Sequence, residues 1–169
     1  GLQKEKCKYE HTGTIITWKP DLDVFTDIDI PLEYYQTTLK KQAVVNAGLA
    51  FKLYDEASGQ CFEYCYQNGI IDYVKEISQG KEFTGIQFYE TQCRGRDRED
   101  KPEYKVKLQM AFCFNNEINL LEYYHNSSFL EYGGSPDKAV KAAFVYEIDK
   151  SLKNQNKYNK DESRITFTD

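Results

Sequence analysis

The chain has 169 residues, a length that holds one domain or two small ones at roughly 100 to 200 residues each, and that can bury roughly 70% of its unfolded surface without a metal or disulfide staple. Hydrophobic residues make up 40% and charged residues 29%, which excludes a disordered tail or a collagen-like rod. With 22 basic and 27 acidic residues the net charge is −5, so the chain does not coat nucleic acid by bulk charge, and only a local basic patch stays open.

No apolar run approaches the roughly 18 to 20 residues of a membrane span. The start, GLQKEKCKYEHTG, lacks the apolar core of a signal peptide. The expectation is a cytoplasmic chain with no membrane partner. Thr12 to Pro20 (TGTIITWKP) alternates β-branched residues and reads as a strand ended by Pro20, followed by an acidic loop. Asp29 and Pro31 supply helix-start signals, and Leu32, Tyr35, Leu39, Ala43 and Asn46 keep helical spacing until Gly48. Leu49 to Asp55 and Gln60 to Tyr66, joined by Glu56-Ala57-Ser58-Gly59, read as a hairpin. Asn68 opens a second helix, with Ile70, Val74 and Ile77 on one face and Gly80 as its stop.

Ile86 to Cys93 reads as a further strand, and the mixed-sign run RGRDREDKP, with Arg94, Arg96 and Arg98, reads as a solvated loop. Tyr104 to Phe114 has the clearest alternation, placing Val106, Leu108, Met110, Phe112 and Phe114 on a core face. Asn115-Asn116 is expected to turn the chain so that Ile118 to His125 returns as its partner strand. Gly133-Gly134, with Ser135 as N-cap and Pro136 at the first helical position, opens a long helix to about Asn154. A polar loop and a β-prone ITFT follow. The composition break at Gln79 to Lys81 is the expected domain boundary, giving 1–79 and 80–169.

Cys7, Cys61, Cys65, Cys93 and Cys113 contain no C-x-x-C pair and read as small, semi-buried hydrophobes. His11 and His125, with no ligand-spaced Cys, Asp or Glu beside them, read as surface or packing residues. Asn126-Ser127-Ser128 matches a glycosylation acceptor, uninformative in a cytoplasmic protein. Most of the 14 tyrosines read as half-buried with wet hydroxyls.

Four segments in order, TGTIITWKPD, QAVVNAGLAFKLYDE, FEYCYQNGIIDYV and AFCFNNEINLLEYYHNSSFLEYGGSPDKAVKAAF, together resemble the DNA gyrase and topoisomerase IV B-subunit family from about Gly13 to Thr168. The resemblance implies an α+β chain: the end portion of a GHKL-type ATPase sheet, then most of a transducer domain with a ribosomal-protein-like βαβ core. It also implies a fragment of a type II DNA topoisomerase subunit that relays nucleotide state to the DNA gate and lines the DNA cavity. ATP and Mg²⁺ are its implied cofactors in the full-length parent, with none expected for the fragment, which carries no catalytic residue of its own. The implied partners are double-stranded DNA, an A-type cleavage subunit and a second copy of the ATPase subunit.

Of the family's nucleotide site, the resemblance retains Thr14 beside Gly13. The upstream glutamate base, the adenine-reading aspartate and the glycine-rich lid do not precede Gly1, and no Gln-Thr-Lys follows the last helix. Thr14 also reads as an ordinary β-branched strand residue. On the helix after Gly133-Gly134 the resemblance directs Lys141, with Lys138, toward the DNA cavity. At about 100° per residue, Lys141 falls inside the apolar stripe of Val140, Phe144, Ile148 and Leu152. There it either snorkels from the rim or contacts phosphate. EYGGSP replaces the family's EGGTH, so Pro136 stands where the family has histidine. A nucleic-acid-binding or interaction module without ATP coupling is the alternative reading.

Overall fold

The computed structural model describes residues 12–162 and 164–168, so the expectations for Cys7 and His11 lie outside the described residues. It has a mixed α+β fold of three helices and three two-stranded antiparallel sheets among those residues. The chain divides into a unit ending at Leu32 and a second from Glu33 onward.

The first unit contains the clearest departure from expectation. Thr12 to Pro20 forms no strand, and Ile15 and Ile16 are 95% and 76% exposed. A strand needs a neighbouring backbone to satisfy its ladder, and β-branched alternation alone does not supply one. The acidic loop after it is ordered by its own side chains. The Asp23 amide donates to Asp21 Oδ1 and the Asp29 amide to Asp27 Oδ1, both at 2.9 Å.

α1 (Leu32–Val45), which lies in the second unit from Glu33 onward, packs its far end into the core. Ala43 and Val44 are fully buried and Tyr66 nearly so, with Val45, Phe51, Tyr64, Ile70 and Tyr73 around them. The hairpin β1 (Phe51–Asp55) and β2 (Gln60–Tyr64) alternates as a half-covered ribbon should. Phe51, Leu53, Phe62 and Tyr64 turn inward, while Lys52, Tyr54, Cys61 and Glu63 turn out. That alternation leaves Cys61 exposed rather than semi-buried, and Cys65 and Cys93 are exposed too. Asp55 organises the connecting turn by accepting from the amides of Ala57 and Ser58 at 3.2 Å and from the Ser58 hydroxyl.

α2 (Ile70–Ser78) begins one residue beyond Gly69. The Asp72 carboxylate reaches back to the Asn68 amide at 2.7 Å, satisfying a donor ahead of the helix. Gly69 has φ +56°, and a Cβ there would lie 3.1 Å from the Val44 carbonyl and 3.2 Å from the Ala47 Cβ. Glycine is what lets the two helices approach here. Gln79, in the left-handed region at φ 51°, closes the helix just before Gly80.

β3 (Gln87–Gly95) pairs with β4 (Tyr104–Phe112) over nine residue pairs. This corrects the expected partner: Ile118 to Tyr123 forms no strand. The Asn115 side chain accepts from the Glu117 amide at 2.7 Å and the Ile118 amide at 3.2 Å, turning the chain aside. The segment then meets α2, where the Tyr73 hydroxyl donates to Glu122 at 3.3 Å. Only the far end of the β4 face is covered. Phe112 sits 5.1 Å from Phe144 edge to face, whereas Val106 and Leu108 are 37% and 44% exposed. The arginines at its tip are paired as expected of a solvated loop, Arg96 with Glu103 at 3.2 Å and Arg98 with Asp100 at 3.8 Å.

β5 (Tyr124–His125) and β6 (Ser128–Phe129) form a minimal hairpin around Asn126-Ser127, with His125 exposed. It docks on α1: Gln42 donates to the Ser127 carbonyl at 2.7 Å and the Lys41 ammonium lies 3.4 Å over the Phe129 ring. α3 (Gly134–Asn154) is the longest helix. The β-prone ITFT near the end forms no strand among the described residues. No helix among the described residues is long and apolar enough to cross a membrane.

Candidate functional site

α3 starts differently from the sequence expectation. Ser135 is not its cap; Gly133 is, at φ +68°, and no side chain caps the helix. Gly134 is also left-handed at φ +64°. Two consecutive left-handed residues bring the chain sharply into the helix, a path a Cβ would oppose. At Gly133 that Cβ would lie 2.6 Å from the Asp137 Cβ, and this glycine is buried. Pro136 falls inside the first turn, where its missing N–H leaves no helical bond unmade.

The tight start places Asp137 in the first turn, where a carboxylate favours the helix dipole. Lys141 follows one turn later, its ammonium 3.0 Å from Asp137 Oδ1. The Phe167 ring centroid lies 5.2 Å from the same nitrogen. The Lys141 side chain is 38% exposed. Lys138 is exposed on the same turn of the helix. The Tyr123 hydroxyl is buried close to the Asp137 carboxylate. Burial first, and the nearby Asp137 carboxylate second, push its pKa up to about 12.

Further along α3, Phe144, Ile148 and Leu152 line an open groove of about 350 Å³ with Phe114, Glu147 and Ser151. On the other side of the helix Asp149 is buried. It accepts from Lys153 Nζ and from the Tyr158 hydroxyl, each at 2.8 Å, and Arg164 Nε is 3.5 Å away. The Lys153 hydrogen bond, helped by Tyr158 and by the charges of Lys153 and Arg164, outweighs burial and holds this carboxyl below its ordinary range.

A second polar cluster lies between α1, α2 and the segment before β5. Glu76 accepts from Lys40 Nζ and from the Tyr66 hydroxyl, each at 2.6 Å. Glu122 accepts from Tyr73 at 3.3 Å and from Tyr124 at 2.8 Å. These three hydroxyls end on carboxylates, exceptions to the wet hydroxyls expected of most tyrosines. Burial, then Glu122, raises Tyr73 to about 12, and Tyr66 and Tyr124 are raised further by burial and their own carboxylates. Periodicity could not reveal this cluster, because it joins residues far apart in sequence. The Asp137–Lys141 pair was legible as an i, i+4 spacing of opposite charges.

Gly13 and Thr14 lie in the first unit and are exposed, and a Cβ on Gly13 would meet nothing within 4 Å. By themselves they form no cradle for a nucleotide. Among the described residues no three His, Cys, Asp or Glu side chains converge as metal ligands. Lys138 and Lys141 belong to the second unit, within one turn of α3.

Helices and short antiparallel hairpins, with a lysine-bearing helix entered through two left-handed glycines, define an α+β chain whose polar chemistry is concentrated on α3 and in the Glu76/Glu122 cluster. The family model of DNA gyrase B matches residues 69–169, and the chain belongs to that family. The gyrase B protein of Mycoplasma pneumoniae is 27% identical over 175 residues, covering 99% of this chain and 26% of the relative. The corresponding protein of Spiroplasma citri is 30% identical over 174 residues, covering 98% of this chain and 26% of the relative. The DNA topoisomerase 4 B protein of Streptococcus pneumoniae is 23% identical over 135 residues, covering 79% and 20%. The chain thus spans about a quarter of the length of the gyrase relatives it matches.

Proposed function

We propose that this chain is part of the ATPase subunit of an ATP-dependent type II DNA topoisomerase, an isomerase acting on double-stranded DNA. In this reading residues up to 79 end a GHKL-type ATP-binding domain, and residues from 80 form most of a transducer domain that relays nucleotide state to the DNA gate. The observation that carries it is similarity along nearly the whole chain to proteins about four times as long. The small core is in keeping with this, since among the described residues the buried apolar side chains Ala43, Val44 and Tyr66 leave many large apolar ones exposed. The full subunit would bind ATP and Mg²⁺ through residues beyond Gly13 and Thr14, pair with a second copy of itself and work with an A-type cleavage subunit in the cytoplasm.

Within that subunit α3 lines the DNA cavity, with Lys141 and Lys138 as its phosphate-facing cations. The Lys141 ammonium has three donors, and Asp137 engages one side of it. A phosphate oxygen can be bound by the others, with release of counterions and the salt dependence that follows. The test is Lys141→Glu in the full-length subunit, which removes a cation and sets a second carboxylate one turn from Asp137. DNA-stimulated ATP turnover should fall, and fall more at low salt than at high salt. Lys141→Met keeps the stem and should preserve folding. Wild-type DNA stimulation in a folded Lys141→Glu variant would remove Lys141 from the DNA path.

A further inference from the structure

The chain that leaves α3 does not depart from it. The Lys157 amide donates to the Leu152 carbonyl at 3.0 Å. Tyr158 and Arg164 reach Asp149, and Phe167 reaches Lys141. As the sequence advances from 157 to 167, its contacts step back along the helix from 152 to 149 to 141. The described residues 157–162 and 164–168 therefore run antiparallel to α3 as a strap.

We propose that Asp149 latches this strap onto α3, and that strap docking governs whether the Lys141 ammonium is free to take a phosphate group. The Asp149 side chain is only 8% exposed, and a carboxylate that buried is costly to leave unpaired. Of its three partners, Lys153 comes from its own helix, whereas Tyr158 and Arg164 come from the strap. The Tyr158 hydroxyl donates to Asp149 Oδ1 and accepts from the Ile165 amide at 3.3 Å. One hydroxyl thus ties the strap both to the helix and to itself. With the strap docked, the Phe167 ring and Asp137 flank the Lys141 ammonium; with the strap released, the aromatic side opens. The consequence for DNA rests on the reading of Lys141 given above, whereas the latch does not.

Tyr158→Phe keeps the ring and deletes both hydroxyl bonds. Amide exchange followed by NMR, together with the rate of Lys141 acylation by an amine-reactive anhydride, reads the two ends of the device. Lys150, ion-paired with Glu147 on the same helix, is the internal reference. In Tyr158→Phe the Ile165 amide should exchange about tenfold faster, as expected when a hydrogen bond to a charged group is lost. Lys141 should acylate several-fold faster and Lys150 at its wild-type rate. Phe167→Ala should reproduce the Lys141 change while the Ile165 amide stays protected. Wild-type exchange in Tyr158→Phe, or wild-type Lys141 reactivity in both variants, would overturn the proposal. A responsive Lys141 combined with wild-type DNA stimulation in full-length Lys141→Glu would keep the latch and remove only its bearing on DNA.

Discussion

At Gly133 two separate demands fall on one residue. Its φ of +68° is a region that side chains enter at a cost, and the space where a Cβ would go is occupied by the Asp137 Cβ at 2.6 Å. The obstructing atom is next to the helix backbone and has little room to swing away. Gly80 separates the two effects, because it is also left-handed, at φ +75°, but a Cβ there would meet nothing within 4 Å. Gly133→Ala should therefore cost on the order of 2 to 3 kcal/mol, conformational strain plus displacement of Asp137. Gly80→Ala should cost only about 1 kcal/mol. Urea denaturation of the two variants checks this, and equal costs would show that Asp137 yields freely. Because Asp137 carries the ion pair to Lys141, Gly133→Ala should also loosen that lysine, a coupling that Gly80→Ala lacks.

Among the elements, the carboxylate of α2 at Glu76 links segments far apart in sequence. Glu76 joins Lys40 of α1 to Tyr66 beyond β2, and although burial pushes its pKa up, the hydrogen bonds from Lys40 and Tyr66 and the charge of Lys40 push it further down. A carboxyl whose folded pKa is depressed gives stability that is present above its unfolded value, near 4.5, and is lost as pH falls through the lower folded value. Denaturation midpoints taken from neutral pH downward should therefore decline below that point in the wild type. In Glu76→Gln the decline should be shallower, from a starting stability lower by about 1 kcal/mol; parallel curves would mean that Glu76 is not a source of the acid sensitivity. The helices and first hairpin around this link were legible in the sequence, because their signals are local: Ile70, Val74 and Ile77 at helical spacing, and turn residues between Asp55 and Gln60. The partner of β4 was not, since Ile86 to Cys93 and Ile118 to His125 were both plausible strands and the choice depends on the Asn115 turn and on Glu122 meeting Tyr73. Of the candidate site, the odd placement of Lys141 in an apolar stripe was visible in advance. Its aromatic neighbour Phe167 and the buried Asp149 were not, because both depend on the strap folding back.

For the whole molecule the decisive quantity is the apolar surface left uncovered. Ile15, Ile16, Trp18, Leu22, Val24 and Phe25 are each more than half exposed within one short stretch, a density of apolar side chains that a stable monomer rarely shows to water. Opposing association is the net charge of −5, a repulsion that salt screens within about 10 Å at 0.1 M ionic strength. Burying a large aliphatic side chain contributes about 1.5 to 3 kcal/mol, so a few such residues per contact outweigh the repulsion once it is screened. The 169-residue chain should self-associate with rising concentration, and added salt should strengthen that association, the reverse of assembly driven by opposite charges. Replacing both Ile15 and Ile16 by lysine should weaken it without lowering the denaturation midpoint, since both side chains already face water in the monomer. Sedimentation velocity over a concentration and salt series provides the measurement. A strictly monomeric profile at high concentration, or association that salt abolishes, would place the apolar stretch outside any contact and leave the charged surface in control.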